Sequence, residues 1–370
     1  MQILDIVFYT FIGVVFIQAI FYIFFFRKFA FSKQQKGHFN NKPVSVIVCA
    51  KNESENLKHF LPTIINQEYP DFEIVLINDS STDDTLKTMR FFEEQYQNVK
   101  LVNVKSNEAF WGSKKYALTL GIKAATNDYL LFTDADCKPV TRYWIKEMTA
   151  HFYQEKSIIL GYGKYSKIKN SFLNKLIRFE TFITAIQYFS FAKIGLPYMG
   201  VGRNLAYTKN DFFNANGFIN HMKIFSGDDD LFINQVANNT NTTICFSETS
   251  FTESVPKKTF KAWYRQKRRH VSTAKYYKLK HKILLALIYS SNILFWFLAL
   301  FLLINLFKWQ IVVSLFLLKI ILQYVILGAS AKKLKENGLL ISLPFLEISL
   351  IIVQLIIFIN NLISKPNHWK

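Results

Sequence analysis

The sequence contains only three cysteines in 370 residues, and they stand apart from one another as Cys49, Cys137 and Cys245. No two of them form a C-x-x-C pair, which argues against a cysteine-based zinc or redox site. We interpret them as small buried residues of a protein in a reducing compartment. Cys137 directly follows an acidic motif, but no neighbouring residue marks it as a nucleophile.

Two phosphate-binding patterns are also missing. There is no G-x-G-x-x-G after the first predicted strand and no G-x-x-x-x-G-K-[ST], which argues against a dinucleotide oxidoreductase and a P-loop nucleotidase. Zinc-finger spacing, an RNP signature and a basic-region heptad pattern are absent, so the net charge of +19 does not indicate nucleic acid. Anionic lipid and nucleotide phosphate remain as partners for this basic chain.

Charge is nearly absent from the first part of the chain. Leu4 to Phe26 is long enough to cross a bilayer core, which takes about 20 apolar residues. No basic segment precedes it and no small-residue cleavage site follows, so we expect a retained anchor rather than a secretory signal. The positive-inside rule then places the N-terminus outside and the middle domain in the cytoplasm. The basic residues that follow the anchor are Arg27, Lys28, Lys33, Lys36 and Lys42.

The C-terminal part is apolar as well, and it predicts three further spans. They run from Ile283 to Phe307, from Ile311 to Ala329 and from Leu339 to Ile363. Lys319 and Glu347 lie inside the second and third spans, where we expect them to pair; a lipid path is the alternative. The loop with Lys332, Lys333 and Lys335 fits the cytoplasmic side, whereas the tail with Lys365 and Lys370 then falls outside, a mild conflict.

The expected domains are an anchor at 1–27, a basic cytoplasmic linker at 28–42, a soluble domain at 43–275 and three transmembrane helices at 283–363. Within the soluble domain, Phe172 to Tyr198 is rich in aromatic residues but too charged to span a membrane. We interpret this segment, about 171–198, as an interfacial amphipathic helix that leads a lipid or glycan acceptor into the site. A buried core helix is the alternative.

Strands and helices alternate in the soluble domain, which predicts an α/β fold with a parallel, doubly wound sheet. The predicted strands are Val44–Ala50, Ile74–Ile77, Val99–Val104 and Tyr129–Phe132. The predicted helices are Asn52–Asn66, Asp83–Tyr96 and Ser113–Ala125. Ligands of such sheets bind at the carboxyl ends of the strands. The polar residues at these ends are Asn52, Glu53, Asp79, Asp134 and Asp136.

Asp134 and Asp136 form a D-x-D pattern at the end of the fourth predicted strand. Their carboxylates, two positions apart, can point to the same side of the chain. Mg2+ and Mn2+ prefer such hard oxygen ligands, together with substrate oxygens. A solvated turn is the alternative, but the position after an apolar strand favours a site for a metal diphosphate.

Several motifs between Pro43 and His270 resemble, in the same order, those of the family 2 glycosyltransferases, which are inverting enzymes with a GT-A fold. VSVIVCAKNESENL is similar to the family's opening strand and N-E turn. EIVLINDSSTDDT is similar to its second strand, although Asn78 and Ser80 depart from the usual Asp-Asp-Gly-Ser. GSKKYALTLGIKAA resembles the segment that supplies a lysine, here Lys114, and YLLFTDADC resembles the metal motif.

Two later motifs extend the resemblance. Ser226–Leu231 resembles the acidic motif that supplies the catalytic base: the E-D-x-D-L form chooses Asp228, and the G-D-D form of hyaluronan-type synthases chooses Asp229. A plain helix N-cap cluster is the alternative. Gln266–His270 resembles the Q-x-x-R-W motif of membrane-bound members, with His270 in place of tryptophan. Its basic run could also contact anionic lipid before the first C-terminal span.

The resemblance implies an α/β GT-A nucleotide-sugar-binding domain, with a Rossmann-like and mostly parallel sheet, flanked by transmembrane helices. In an inverting transfer, Asp228 or Asp229 would remove the acceptor proton. Mg2+ or Mn2+ at Asp136 and Asp134 would neutralise the leaving diphosphate. The implied donor-binding residues are Ala50, Asn52, Glu53, Asp79, Lys114, Asp134, Gln266, Arg269 and His270. The implied acceptor-binding residues are Gly202, Arg203 and Asn204.

The implied partners are a nucleotide sugar, with a UDP-sugar as the expected donor, a lipid-linked or polysaccharide acceptor, and membrane lipids, but no nucleic acid. The expected location is the cell membrane, with several spans and a cytoplasmic catalytic domain. A transporter and a non-catalytic carbohydrate- or lipid-binding scaffold are the alternatives. The small number of intramembrane charges argues against a transporter, and the retained Asp134, Asp136 and Asp228 argue against a scaffold.

Overall fold

The computed structural model describes residues 3–35, 37–39, 41–105 and 114–364. Four residues named above lie outside these ranges: Ser113, at the start of a predicted helix, and the basic residues Lys36, Lys365 and Lys370. The strands are β1 (Val44–Ala50), β2 (Phe72–Asp79), β3 (Val99–Val104), β4 (Tyr129–Asp134), β5 (Cys137–Pro139), β6 (Ile158–Leu160), β7 (Gly163–Tyr165), β8 (Leu205–Thr208), β9 (Thr242–Ile244) and β10 (Thr252–Ser254).

The helices fall into a soluble group and a membrane group. The soluble group is α3 (Ser54–Ile65), α4 (Thr85–Gln95), α5 (Lys114–Ala124), α6 (Trp144–Thr149), α7 (Phe172–Lys193), α8 (Lys209–Asn214), α9 (Asp230–Val236) and α10 (Phe260–Val271). The membrane group is α1 (Ile3–Ile20), continued by a π-helical turn (Phe21–Phe26) and α2 (Arg27–Ala30), then α11 (Leu279–Ile304), α12 (Trp309–Leu334) and α13 (Leu343–Ile363).

A seven-stranded sheet forms the centre of the soluble domain, in the order β3-β2-β1-β4-β8-β6-β9. Strands β3, β2, β1 and β4 are parallel, as predicted from the alternation of strands and helices. Strand β8 runs antiparallel to both β4 and β6, so the sheet is mixed in its second half. The expected α/β fold with a mostly parallel sheet is confirmed.

Both faces of the sheet are covered, and the alternation along β1 explains how. Val44, Val46 and Val48 point to a core that contains apolar residues of α3, α4 and α6. Ile47 points to the opposite core, which contains residues of α5 and α7 and continues into the membrane helices. Because successive side chains of a strand point to opposite faces, a continuous apolar run such as VSVIVCA is what a strand buried on both sides requires.

Helix α7 lies between the sheet and the membrane helices and is largely buried. It contacts β7 and β9 on one side and α2, α12 and α13 on the other. Phe179, Phe182, Ala185 and Phe189 are almost fully buried in the shared core. This burial fits the alternative of a buried core helix, whereas the predicted place of the segment at a membrane interface and its role in leading an acceptor to the site stay predictions. The physical reason is that α7 packs on two opposite sides, so it carries no continuous polar face for water.

Among the described residues, four helical segments are long and apolar enough to cross a membrane: Ile3–Ala30, Leu279–Ile304, Trp309–Leu334 and Asn337–Ile363. Helices α1, α11 and α12 contact one another. Phe11 of α1, Phe295 of α11 and Val312 of α12 belong to one apolar cluster, which joins the parts of these helices that lie away from the soluble domain. Helix α13 contacts mainly α7 and α10, and to a lesser extent α11.

A buried polar group lies between α12 and α13. The Lys319 ammonium is 3.2 Å from one Glu347 carboxylate oxygen and donates to Gln323 at 2.8 Å. Gln323 donates to the same carboxylate at 2.9 Å. Both charged side chains are buried, so in an apolar surrounding each charge depends on the other. The expected pairing of Lys319 and Glu347 is present.

Removing one member of this pair should destabilise the protein strongly, because the other charge is left buried without its partner. We expect Lys319→Met or Glu347→Leu to cost about 3–5 kcal/mol. The double variant should recover much of this loss, since two apolar side chains need no partner. Thermal unfolding of the purified protein in detergent measures all three. Unchanged midpoints in both single variants would contradict the pairing.

Candidate active site

The carboxyl ends of three neighbouring strands bring the predicted donor-binding residues together. Ala50 of β1 is paired with Asn78 of β2, and Cys49 is paired with Asp134 of β4. This register puts the residues that follow the strands at one edge of the sheet. The expectation that Asp79 and Asp134 lie close to the turn after Ala50 is correct in this respect.

The turn after β1 is held by its own side chains. Asn52 has a left-handed backbone with φ of 57°, and its amide oxygen accepts a hydrogen bond of 2.8 Å from the Thr82 N–H. The Glu53 carboxylate accepts one of 2.5 Å from the Asn56 amide. Asn52 therefore joins the loops after β1 and β2, which makes it a residue that positions the donor-side loops.

Asp79 is buried at the end of β2, with 3% of its surface exposed. Within the described part of the chain, its Oδ2 has no hydrogen-bond partner. Burial raises the pKa of this carboxyl, although Lys51 and Lys114 oppose the effect. A buried acceptor without a partner is costly, so an N–H donor from a ligand would satisfy it here.

Asp134, Asp136 and Cys137 can place one ligand atom each within 4.8 Å of one another. Burial and the charges of Asp134 and Glu53 raise the pKa of Asp136, so a cation between the carboxylates would relieve the repulsion. Burial also raises the pKa of the Cys137 thiol, which lies 2.8 Å from the Ser254 hydroxyl. Of these three groups, the two carboxylates offer the hard oxygen ligands that suit Mg2+ or Mn2+.

Lys114, the first described residue of α5, joins the metal motif to the acidic motif. Its ammonium lies 3.0 Å from an Asp134 oxygen and 2.9 Å from an Asp228 oxygen. Burial alone would lower the pKa of Lys114, but the two carboxylates outweigh it and raise that pKa well above its usual value. The side chain is therefore a permanent cation between the two predicted halves of the site.

The next residue, Lys115, was not predicted as a site residue. Its buried ammonium donates to the carbonyl oxygens of His221, Ile224 and Ser226 at 2.7–2.8 Å. These three bonds fix the loop that leads into the acidic motif. The repeated lysine in GSKKYAL was the only sequence signal, and the bonds to distant carbonyls depend on the tertiary fold.

The three consecutive aspartates have different surroundings. Burial would raise the pKa of Asp228, but Lys114 outweighs it and lowers that pKa. Burial and the charges of Asp228 and Asp230 raise the pKa of Asp229 to about 7. Asp229 is also the N-cap of α9, so the capping alternative describes part of its role. The pKa values of Asp228 and Asp229 are therefore shifted in opposite directions, although the sequence makes the two residues look equivalent.

Asp230 is bound by residues that lead into the membrane. Its carboxylate accepts hydrogen bonds from the hydroxyl groups of Thr273 and Tyr277, the latter at 2.6 Å. Thr273 and Tyr277 lie between α10 and α11. Asp230 therefore ties the acidic motif to the start of the first C-terminal membrane helix.

Residues 200–204, which we call the small-residue turn, lie directly before β8 and contain the three predicted acceptor-binding residues. The Gly202 N–H donates to Asp229 Oδ2 at 2.7 Å, and the role of Gly202 in acceptor binding stays a prediction. The central carbon of the Arg203 guanidinium lies 4.3 Å from the centre of the Tyr165 ring. Burial would lower the pKa of Arg203, but the charges of Tyr165, Cys137 and Asp136 outweigh burial and raise that pKa. This guanidinium therefore lies near Asp136, and its role in acceptor binding stays a prediction.

Asn204 is fully buried and is not available to an acceptor. Its amide oxygen accepts from the Trp144 indole at 3.0 Å, and its amide nitrogen donates to the carbonyls of Tyr162 and Ser250. The side chain thus uses its hydrogen-bonding capacity inside the protein. The prediction that Asn204 binds the acceptor is wrong, because a residue next to a site can face the core.

Helix α10 carries the basic motif, and its residues point in different directions. Burial lowers the pKa of Arg269, and the charges of Asp228 and Asp134 oppose this, which puts Arg269 near both acidic motifs. The Gln266 amide oxygen is buried without a partner among the described residues. Arg268 points away and binds α13. The exposed His270 has its Nε2 atom 3.5 Å from Arg269.

Comparison with known proteins agrees with this arrangement. Residues 45–228 match the sequence family described as glycosyl transferase family 2. A poly-β-1,6-N-acetyl-D-glucosamine synthase of Staphylococcus epidermidis is 30% identical over 129 residues, which are 34% of this chain and 30% of that protein. A 4,4'-diaponeurosporenoate glycosyltransferase of Staphylococcus aureus is 31% identical over 104 residues, which are 28% of this chain and 26% of that protein. The chain thus aligns with about a third or less of these relatives.

A solved structure supports the fold over nearly the whole chain. A mannosyltransferase from Pyrobaculum calidifontis, in complex with GDP-Man and Mn2+, has a TM-score of 0.60 and 17% sequence identity. The similarity covers 90% of this chain and 99% of the mannosyltransferase. At this identity the similarity concerns the fold, including the arrangement of a GT-A sheet with additional helices.

Asp136→Ala should abolish binding of a divalent cation, because it removes one of the two carboxylates that can hold the ion. Mn2+ binding, followed by electron paramagnetic resonance of the purified protein, measures this without requiring activity. Asp71→Ala, an exposed carboxylate away from the site, is the matched control and should bind Mn2+ like the parent. Equal Mn2+ affinity in Asp136→Ala and the parent would refute the assignment.

Proposed function

Because residues 45–228 belong to glycosyl transferase family 2, we propose that this chain transfers a sugar, with inversion, from a nucleoside diphosphate sugar to an acceptor at the membrane surface. One observation carries the proposal: Lys114 joins the D-x-D pair to the acidic motif through Asp134 and Asp228. A donor diphosphate and an acceptor hydroxyl need these two groups of carboxylates side by side. The carboxylates of the D-x-D pair form a negatively charged site for a cation, and the acidic motif beside them offers a candidate base.

The donor half of the site consists of Asp79, Glu53 and the D-x-D pair. The Oδ2 atom of Asp79, which has no hydrogen-bond partner among the described residues, can accept the ring N–H of a base such as uracil, and we propose a UDP-sugar. A divalent cation held by Asp134 and Asp136 would neutralise charge on the leaving diphosphate. Lys114 and Arg203 supply further positive charge beside the same carboxylates.

We propose Asp229 as the base that takes the acceptor proton. Its carboxylate lies on the small-residue turn, 2.7 Å from the Gly202 N–H, whereas Asp228 lies against Lys114 on the donor side. A base works best with a pKa near the working pH, and the pKa of Asp229 is about 7. Asp228, held ionised by Lys114, would position that lysine.

The acceptor is expected to be a lipid-linked sugar or a growing polysaccharide. Helix α10, with Gln266 and Arg269, lies at the site and directly precedes α11, so an acceptor at the membrane surface can reach the base. The relatives named above are a poly-β-1,6-N-acetyl-D-glucosamine synthase and a 4,4'-diaponeurosporenoate glycosyltransferase, and the first of these names supports a polysaccharide acceptor. The basic residues after α1 and α12 support a cytoplasmic position of the catalytic domain.

A donor panel tests the activity. The full-length protein, purified in detergent and returned to lipid, is incubated with radiolabelled UDP- and GDP-sugars in the presence of Mg2+ or Mn2+. We expect label from one UDP-sugar to enter lipid or polymer, and chelation of the cation to stop it. Substrate flux into vesicles without any sugar transfer would favour a transporter instead.

Asp229→Asn should lower turnover by about 10²–10⁴-fold, the usual contribution of a general base, and leave donor binding intact. The parent rate should rise with pH and level off above about 7, because Asp229 must lose its proton to act. Calorimetry measures the binding of the UDP-sugar. Initial rates between about pH 5.5 and about pH 8.5, a range that spans the pKa of Asp229, measure the pH dependence.

Matched variants distinguish Asp229 from Asp228 as the base. Asp228→Asn should keep a rate that rises with pH, but at a reduced level and with the rise shifted to lower pH, because it removes the partner of Lys114 and a charge that raises the pKa of Asp229. Asp128→Asn, an exposed residue near the sheet, should behave like the parent. If Asp229→Asn keeps a near-normal rate and Asp228→Asn loses all turnover, the base is Asp228.

A further inference from the structure

The segment from Lys335 to Ser364 is bound to the catalytic domain at both ends. At its start, the Lys335 ammonium lies 2.9 Å from a carboxylate oxygen of Glu248, and Glu336 is paired with Arg178 of α7. At its end, Arg268 of α10 donates to the Ser364 carbonyl at 2.7 Å. Both ends of this apolar segment are therefore on the side of the membrane where the catalytic domain lies.

The end of α13 is held especially firmly. Arg268 donates to the Asn361 amide oxygen at 3.0 Å and to the Asn360 carbonyl at 3.1 Å, and the Asn360 amide donates to the hydroxyl of Tyr264. A guanidinium at the last carbonyls of a helix also interacts favourably with its dipole. Helix α10, which carries the basic motif of the site, thus caps α13.

Between these ends, α13 passes through the apolar bundle. Glu347, in its first turns, contacts Lys319 and Gln323 in the middle of α12. Further along, the Ile351 carbonyl accepts a hydrogen bond of 3.3 Å from Tyr289 of α11. From Glu347 to Asn360 the helix rises about 20 Å. Over this length it runs from the middle of α12 back to α10, and therefore away from the opposite membrane surface.

The opposite membrane surface is occupied by the other three helices. There the Lys308 ammonium, between α11 and α12, lies 3.3 Å from an Asp5 carboxylate oxygen at the start of α1. The apolar cluster at this end contains Phe8, Phe11, Leu302 and Val312, and none of its described members belongs to α13. Helix α13 instead shares the core that joins the membrane helices to the catalytic domain.

We propose that the segment 335–364 is re-entrant: it enters the membrane from the catalytic side and returns to that side, so that the described part of the chain crosses the bilayer three times. This replaces the fourth crossing expected from length and hydropathy. It also removes the conflict with the positive-inside rule, because Lys365 and Lys370 are the next basic residues in the sequence after Ser364.

A second consequence concerns the lipid around the site. The outward side chains of this segment include Ile341, Phe345 and Leu362, which are 90%, 75% and 73% exposed. In a re-entrant helix they contact the acyl chains of the leaflet beside the catalytic domain. Because α10 caps the same helix, Gln266 and Arg269 are held at the depth of the lipid headgroups.

Cysteine labelling tests the topology without any sugar donor, so its result is independent of the proposed activity. Ser364→Cys is compared with Glu155→Cys, on the exposed surface of the catalytic domain, and with Asn305→Cys, in the exposed loop at the opposite surface. Sealed vesicles of either orientation are treated with a membrane-impermeant maleimide. The parent protein gives the background of the three native cysteines, of which Cys137 and Cys245 are buried.

We expect Ser364→Cys to react in the same vesicles as Glu155→Cys and to be protected in those where Asn305→Cys reacts. Labelling of Ser364→Cys together with Asn305→Cys would overturn the proposal. A peptide tag after Lys370, detected by antibody in the same vesicles, gives a second measurement that leaves the Arg268 contacts untouched. Tag and Glu155→Cys on opposite surfaces would likewise overturn it.

Discussion

The ion pairs of Lys114 determine how the rest of the site is arranged. One ammonium group lies within 3.0 Å of carboxylates from two motifs that are far apart in sequence. Without this cation, Asp134 and Asp228 would repel each other in a partly buried cleft. Because Lys114 begins α5 and α5 packs on β2 and β1, the parallel sheet sets the position of the charge that holds both halves together.

Much of the soluble domain could be predicted because its sequence pattern is local. The continuous apolar run of β1 and the D-x-D pair after β4 required only strand periodicity and the rule on strand ends. The antiparallel strand β8 and the two buried faces of α7 could not be predicted in this way. They depend on which surfaces are covered by segments distant in sequence, and periodicity does not carry that information.

The site residues divide along the same line. Asp79, Lys114 and Asp134 lie together, as strand ends and motif spacing indicate. Asn204 instead faces the core, because a turn of small residues fixes where the backbone goes but leaves open which side chain is buried. Lys115 was missed for the converse reason: its three carbonyl partners come from a loop more than a hundred positions later in the chain.

Helix α7 determines how separable the catalytic domain is from the lipid. Its residues Phe179, Ile186 and Phe189 belong to a core shared by the sheet and the membrane helices. Cutting the chain between α10 and α11 would uncover one side of that core and leave a large apolar surface in contact with water. Solubility therefore dictates that the soluble domain be purified together with its apolar helices.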